Sequence, residues 1–322
     1  MLSRLADAIY WMNRYIERAE NYARFIDANY NLLLEMPPDM AEQWKPLVVA
    51  TGDWSLYQSL YDDTSKEHVV NFLVFDINNP NSICNSVIRA RENARVARPE
   101  ITKEVWEQVN HLYHMVKDLS GEKAWKKKDP RNFFNEIKKG CQLLNGIFDA
   151  TITRNDGWHF GKAGQFLERA DKTSRVLDVK YHIILPSADS VGSPFDLIQW
   201  AALLKSVSAY DMYRKKYGKL TSKDIAEFLI LDKQFPRSIL RCLLYAEQSL
   251  HTISGRNGSG YTNNAEKHLG QVRSRMEYTD ISYILDYGMH EYLDDIQKQL
   301  NLVSNSVFKT FFAIDSQIQM QQ

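Results

Sequence analysis

The chain is poor in the residues that punctuate strands and turns. Of 322 residues only 14 are glycine and 9 are proline, about 4% and 3% against a typical 7% and 5%. That scarcity disfavours an all-β fold, with its regular turns, and favours long helices. Cysteine is scarcer still. Cys84, Cys141 and Cys242 are odd in number, far apart and never spaced C-x-x-C, so neither a disulfide framework nor a zinc site is expected. Cys84 and Cys242 sit in apolar helical contexts and read as small core residues, and a reducing cytoplasm fits best. Charge of one sign is lacking too. The 40 Lys+Arg balance 40 Asp+Glu, with a pI near 7.1, which removes the basic excess of a general nucleic-acid binder. No stretch approaches the ~18–20 apolar residues of a membrane span. The opening MLSRLADAIYWMNRYIERAE is interrupted by Arg4, Asp7, Asn13 and Arg14, so it is not the apolar region of a signal peptide. Apolar residues at 44% and charged residues at 25% are those of a globular chain with a substantial core.

What the chain does have is internal repetition. Tyr15–Asp27, YIERAENYARFID, aligns without gaps to Phe166–Asp178, FLERADKTSRVLD. Glu17/Glu168, Arg18/Arg169, Ala19/Ala170, Arg24/Arg175 and Asp27/Asp178 are identical, 151 residues apart, and Glu20/Asp171 keeps its charge. A second block recurs 156 residues apart. Phe72-Leu73-x-x-Asp76 and Pro80-x-Ser82-Ile83 match Phe228-Leu229-x-x-Asp232 and Pro236-x-Ser238-Ile239, and Trp54, Tyr57 and Tyr61 match Tyr210, Tyr213 and Tyr217. A weaker match sets Ile137-x-x-Gly140 against Leu285-x-x-Gly288. The expected fold is therefore all-α, a helical bundle built from two tandem, pseudo-two-fold related multi-helix repeats, 1–150 and 151–322, packed as one compact unit. Two copies are too few for a solenoid.

Helical periodicity supports this. In the first helix Ala8, Met12, Tyr15, Ala19, Tyr22 and Ile26 share a face. Further helices are expected at 66–75, 82–98, 102–118, 132–153, 160–183, 195–217, 222–231, 237–253, 263–276 and 280–314. Breaks fall at Pro37-Pro38, Asn78-Asn79-Pro80, Gly121 to Pro130, Pro186 to Pro194, Phe235-Pro236 and Gly255 to Gly260. Ser82 and Ser238 read as N-caps, and Lys123–Lys128 as a solvated loop.

The repeated E-R segment carries the chemistry. Helical spacing puts Glu17, Glu20, Arg24 and Asp27 on one stripe opposite Ala19 and Ile26, with Arg18 on the flank within reach of a neighbouring helix. Glu168, Asp171, Arg175 and Asp178, with Arg169 on the flank, repeat that geometry. As exposed i,i+4 pairs, Glu20–Arg24 and Asp171–Arg175 would add only ~0.2–0.5 kcal/mol each. Retention of the same residues in both halves points instead to a buried network, where losing one partner costs ~3–5 kcal/mol, or to a ligand site. A third cluster, IRARENARVAR, holds Arg91, Glu92, Asn93, Arg95 and Arg98. Its guanidinium forks suit carboxylate or phosphate groups on a partner. The second half has Tyr245-Ala246-Glu247-Gln248 at that place, so this cluster serves once per chain.

Four blocks, LSRLADAIYWMNRYIERAENYAR, IRARENARVAR, GWHFGKAGQFLERADKTSRVLD and YILDYGMHEYLD, together resemble the bacterial alpha-E family, a helical domain named for its E-R motif. The resemblance spans essentially the whole chain. It implies an all-α protein associated with a circularly permuted ATP-grasp ligase-like protein and a transglutaminase-like cysteine peptidase, in systems that make or trim peptide or amide linkages. It brings no established catalytic residue. Glu17, Arg18, Glu20, Arg24, Arg91, Glu92, Arg95, Trp158, Glu168, Arg169, Asp171 and Arg175 carry over as family-typical positions.

Other chemistry finds no foothold. Phosphate-loop and dinucleotide fingerprints, H-E-x-x-H, the paired E-x-x-H of di-iron bundles and G-x-S-x-G are absent. His159 and His290 read as hydrogen-bonded structural histidines. The expectation is a non-catalytic module without metal or cofactor that binds a ligase-like or peptidase-like partner, or a peptide. The alternative is an enzyme of unrecognised type, with Glu17 and Glu168 as acid and base and Arg18 and Arg169 holding an anionic substrate.

Overall fold

A computed structural model describes residues 1–35, 44–121, 130–182, 192–255 and 260–313. Helix accounts for 80% of it. The expected basic loop Lys123–Lys128 and the breaks at Pro37-Pro38 and Pro186 lie outside the described residues.

In chain order the helices are α1 (Ser3–Glu35), α2 (Lys45–Thr51), α3 (Trp54–Leu60), α4 (Lys66–Val74), α5 (Ile83–Val96), α6 (Lys103–Gly121), α7 (Pro130–Thr151) and α8 (Asp156–His182). They continue with α9 (Pro194–Ser206), α10 (Tyr210–Tyr217), α11 (Ser222–Ile230), α12 (Ile239–Ile253), α13 (Asn264–Glu277), α14 (Ile281–Tyr287), α15 (Met289–Val307) and a π-helical turn, Phe308–Phe312. The side chains of Ser82 and Ser238 accept from Asn85 N and Arg241 N and start α5 and α12, as their place after a proline implied.

Two four-helix rings share one central contact. In the first, α1, α5, α6 and α7 pack in cyclic order; in the second, α8, α12, α13 and α15 do the same. The long helices α1 and α8 lie against each other and join the rings, while α9 packs on α1 and α2 packs on α8. Each ring has its own apolar core. One gathers Val87, Val109, Leu112, Ile137 and Phe148 around α1; the other gathers Leu243, Leu269, Ile296 and Val303 around α8. The 150/151 boundary falls at the last turn of α7, so a cut in the 152–155 link follows the helices more closely.

Three aromatic positions outside the rings recur in both halves. Tyr57 stacks on Tyr61 with ring centroids 5.0 Å apart and meets Phe72 edge-on, and Tyr213 stacks on Tyr217 at 5.0 Å and meets Phe228 in the same way. The Tyr57 and Tyr213 hydroxyls donate to the carbonyls of Asp63 and Lys219.

Three expectations need correction. The helix expected over 195–217 is two, α9 and α10, because Ser208 takes a left-handed conformation (φ 52°) that ends α9. The helix expected over 280–314 breaks at Gly288 (φ 104°) into α14 and α15 and ends in the π-helical turn. Cys84 is half-buried rather than a core residue, whereas Cys141 and Cys242 are buried. The short helices α2 and α3 had no clear periodic signal.

Close approach of α1 and α8 depends on small residues. A Cβ built on Gly164 would sit 2.4 Å from the Tyr10 carbonyl oxygen, and one on Gly161 would sit 2.7 Å from the Asn13 amide. Ala19, Ala23, Ala163 and Ala170 are fully buried along the same helices. Backbone cannot yield as a flexible side chain can, so Gly164→Ala must push the two helices apart. Overpacking of this kind costs about 1–3 kcal/mol, and chemical unfolding of Gly164→Ala should show a loss in that range. An unchanged midpoint would mean that the α1–α8 separation is not fixed here.

Candidate functional site

The E-R residues meet at the α1–α8 contact. The helical spacing that put Arg18 and Arg169 on the flanks sends each guanidinium across to the other helix. Arg169 donates to Glu17 through Nε (2.8 Å) and a terminal nitrogen (2.7 Å), forking both carboxylate oxygens. Arg18 grips Glu168 in the same way at 2.6 and 3.1 Å. The pairs are thus exchanged, each Glu held by the Arg that follows the other Glu. Both carboxylates are 0% exposed.

Further donors complete each carboxylate. Glu17 accepts from Asn21 at 2.8 Å and from Arg237 at 3.0 Å. Glu168 accepts from Arg14 at 2.8 Å and lies 3.5 Å from the Lys172 ammonium. Aromatic faces cover the cations, with Arg14 over Trp11 (4.9 Å), Arg18 over Tyr15 (5.4 Å) and Arg169 over Phe166 (5.5 Å). Cation–π contact of this kind partly replaces lost hydration.

Electrostatics follow from this crowding. Burial is the largest single influence on Glu17 and raises its pKa, but Arg169 and then Arg237 outweigh it and hold the carboxyl well below its usual 4.5. Glu168 is likewise driven well below 4.5, with Arg18, Lys172 and Arg14 overcoming burial. Asp171 is lowered against burial by Arg175 and Lys172. Arg237 moves the other way. Burial lowers its pKa, and the repulsion of Arg169 and Arg24 adds to that against the pull of Glu20 and Glu17.

The rest of the stripe serves both halves. Arg24 pairs with Glu20 at 2.7 Å and donates to the Ser208 hydroxyl at 2.6 Å. Arg175 pairs with Asp171 at 3.0 Å and donates to the Ala50 carbonyl at 3.3 Å. Ser208 and Gly52, both left-handed, thus stand against the arginine of the opposite central helix. Asp27 takes Lys138 from α7, and Asp178 takes His290 from α15. Sequence reasoning missed Arg14, Lys172 and Arg237. Arg14 lies one helical turn before Arg18, a usable signal; Arg237 lies in a link whose destination no local pattern reveals.

Glu20 is unlike the other acids. Its Oε1 accepts from Arg24, from Arg237 at 2.6 Å and from Gln142 at 3.5 Å. Its Oε2 is buried and has no hydrogen-bond partner among the described residues. Glu20 lies at the edge of an open cleft of about 370 Å³ between α7, α8 and α12, whose walls include Gln142, Asp149, Lys162, Arg169, Arg237 and Arg241.

The arginine stripe of α5 is elsewhere and more open. Arg91 donates to Asn110 at 2.6 Å and stacks on Tyr113 at 4.5 Å, while Arg98 lies over Trp106 at 5.4 Å. Arg95 pairs with Glu92 at 3.0 Å with both side chains more than half exposed, and Asn93 donates to the Arg89 carbonyl. Arg154 and Lys162 both lie over the Trp158 ring, at 4.9 and 5.5 Å from its centroid. His290 is hydrogen-bonded to Asp178, as a structural histidine would be, whereas His159 Nδ1 has no partner among the described residues. Burial pushes the Cys242 thiol up to about 12, which makes it a poor nucleophile. Among the described residues no group of three His, Cys, Asp or Glu is placed to hold a metal, and no helix is long and apolar enough to cross a membrane.

The exchanged Glu–Arg pairs are the E-R motif in three dimensions. A family described as a predicted alpha-helical domain with a conserved ER motif matches residues 1–312. The chain belongs to the alpha-E family. Uncharacterized proteins of Mycobacterium bovis and Mycobacterium tuberculosis are 23% identical over 299 residues, covering 85% of this chain and 32% of theirs. The chain therefore spans about a third of the length of the curated relatives it matches. No solved structure matches it.

Within this alpha-E chain the buried pairs set two expectations. Arg18→Ala or Arg169→Ala leaves a carboxylate poorly compensated in low dielectric and should destabilise by about 3–5 kcal/mol, measured by chemical unfolding; a loss within ~0.5 kcal/mol would return the motif to a solvated stripe. Because Glu17 and Glu168 have folded pKa values below their usual 4.5, their contribution is fully present above pH 4.5 and is lost as pH falls through the folded values. Unfolding midpoints should decline below pH 4.5, and less steeply in Glu17→Gln, where one of the two depressed carboxyls is gone.

Proposed function

We propose that this chain is a non-catalytic helical module that binds a protein partner or peptide substrate in a system forming or trimming peptide or amide bonds. The partners implied by the alpha-E resemblance are an ATP-grasp-like ligase and a transglutaminase-like peptidase. The observation that carries the reading is the state of Glu17 and Glu168. A general acid must hold a proton near neutral pH, and a general base must reach its substrate. Both carboxyls are depressed, fully buried and saturated with donors, so the competing reading of an enzyme with these residues as acid and base loses both groups.

Two further features support a binding role. The arginine stripe of α5 and the turn after it presents Arg89, Arg95 and Arg98 at the surface, where guanidinium forks suit carboxylates on a partner. The mycobacterial relatives carry their matched segment as only 32% of a longer chain, as fits a helical unit that works beside other polypeptide. A reducing, cytoplasmic setting suits the three free cysteines.

The tagged chain should capture the ligase-like and peptidase-like proteins encoded with it under mild conditions, and recovery of the bait alone overturns the reading. Arg95→Glu combined with Arg98→Glu should abolish capture while changing stability by no more than ~0.5–1 kcal/mol, because both positions are exposed.

A further inference from the structure

A ligand can use only polar atoms that are unspent and open to solvent. The cleft between α7, α8 and α12 is lined by two nearly buried side chains that keep such atoms. Gln165 is 3% exposed; its Oε1 accepts from Lys162 at 2.8 Å, while its Nε2 is neither bonded among the described residues nor shut off from solvent. Arg237 is 8% exposed, and its terminal nitrogens donate to Glu17, Asn21 and Glu20. Its Nε has no acceptor among the described residues and, like the Gln165 amide, is not sealed in. Arg241 lines the same cleft, with its guanidinium 4.4 Å from the Tyr245 ring centroid. Its terminal nitrogens donate to the Lys233 carbonyl and the Tyr245 hydroxyl, which leaves its Nε without an acceptor among the described residues. All three unspent groups are donors, and the other bonds of each side chain hold them in place.

Charge in the cleft runs the same way. Lys162, Arg169, Arg237 and Arg241 line it with only two carboxylates, Glu20 and Asp149. Glu17 and Arg24 stand immediately behind, so among the described residues five cations meet three acids. Each of those acids is already engaged. Glu20 pairs with Arg24 and Arg237, Asp149 with Lys162, and Glu17 with Arg169 and Arg237. The second Glu20 oxygen is shut off from solvent and so out of a ligand's reach. Burial lowers the pKa of both Lys162 and Arg237, and repulsion from Arg169 adds to it in each. The N-terminus of α12, entered through Pro236 and Arg237, brings a partial positive charge to the same end. An arriving anion relieves these cations, whereas a metal ion or an ammonium group is repelled by them.

We propose that this cleft binds a small ligand through an oxyanion, a carboxylate or a phosphoryl group, that accepts from Gln165 Nε2, Arg237 Nε and the Arg241 guanidinium. Hydrogen bonds between ionised partners are the strong ones, and an oxyanion brings acceptors alone to a place that offers donors. Phe166 and Tyr245, with ring centroids 5.1 Å apart, give the body of the ligand an apolar wall. A volume of about 370 Å³ lies at the small end of small-molecule sites, which run from ~300 to ~1,000 Å³. The assignment goes beyond the partner-binding reading and does not depend on it, since no residue of the α5 arginine stripe lines this cleft.

The test is calorimetric titration of the full chain with inorganic phosphate, N-acetyl-L-alanyl-L-alanine and the C-terminal amide of that peptide. Sodium chloride at about 0.15 M screens attraction to exposed charges beyond ~8 Å. At least one of the two anions should bind saturably, with one site per chain. The amide, which keeps the peptide body and loses the charge, should bind roughly tenfold or more weakly than the acid. Tighter binding of phosphate assigns the oxyanion to a phosphoryl ligand, and tighter binding of the acetylated peptide assigns it to a peptide carboxylate. Two variants locate the site. Arg241→Gln should weaken the bound anion roughly tenfold and leave the unfolding midpoint in place, because the side chain is only half-buried. Gly146→Phe should abolish binding, since Gly146 lines the cleft and a Cβ there meets nothing within 4 Å; replacing a helical glycine favours folding. The proposal is overturned if neither anion binds saturably, if the amide binds as tightly as the acid in a chain that binds the peptide, or if either variant binds like the parent. Capture of the ligase-like and peptidase-like proteins reports on the α5 stripe and stands or falls separately.

Discussion

Glu17 and Glu168 lie at the heart of the α1–α8 contact with no access to water, and taking such ions out of water costs several kcal/mol apiece before any partner is counted. That cost is offset only when the guanidinium of the opposite helix arrives with both forks in place. Neither helix can supply its own answer, because Arg18 and Arg169 lie on flanks that face away from the glutamate beside them. The exchange therefore ties folding of each carboxylate's surroundings to docking of the two helices. It also selects one register, since a slip of a single turn would break both two-pronged Glu–Arg pairs. Gly161 and Gly164 allow the approach that this geometry needs.

The rest of the molecule hangs on that contact. Each central helix anchors a four-helix ring, and each receives a short helix from the other side, α9 on α1 and α2 on α8. Ser208 shows how far the network reaches. A non-glycine residue in the left-handed region costs of order 1 kcal/mol, yet its hydroxyl is where Arg24 places its remaining donor. The two sides nevertheless balance their charge differently. One uses Arg14 and Lys172, both from the central helices; the other uses Arg237 from the link into α12. At the positions 151 residues before Lys162 and Gln165 stand Trp11 and Arg14, stacked on one another. The bulky pair packs where the smaller pair opposite lines a cleft.

Much of the architecture is legible in the residues themselves. Long apolar periodicities announce the ring helices, a serine two places after a proline announces the caps of α5 and α12, and flank geometry announces that Arg18 and Arg169 point at neighbours. The breaks at Ser208 and Gly288 are not legible in that way. Residues 195–217 and 280–314 carry continuous helical patterns, and what ends α9 is a left-handed serine bonded to an arginine nearly two hundred positions earlier. Burial of the charged stripe is equally hidden from local pattern, since Glu20–Arg24 has the spacing of an ordinary surface pair. Only its recurrence in Asp171–Arg175 distinguishes it. Arg237 lies opposite Asn81 in the repeated block, so alignment locates it, but nothing in sequence places its guanidinium between Glu17 and Glu20.

The E-R network and one wall of the cleft between α7, α8 and α12 share residues. Glu17 never touches the cleft, but it fixes two guanidiniums that do, Arg169 by a fork and Arg237 by a single bond. Arginine side chains left to themselves sample many rotamers, and ordering each on binding costs ~0.5–1.5 kcal/mol. With that ordering already done during folding, the cleft presents its cations in place. Glu20, one turn further along α1, has one oxygen spent on the same network and the other bare. Glu17 thus holds two guanidiniums of the wall in place without lining the cleft itself. Since Glu17 and Glu168 stay ionised well below neutral pH, the network keeps a fixed charge pattern across the physiological range.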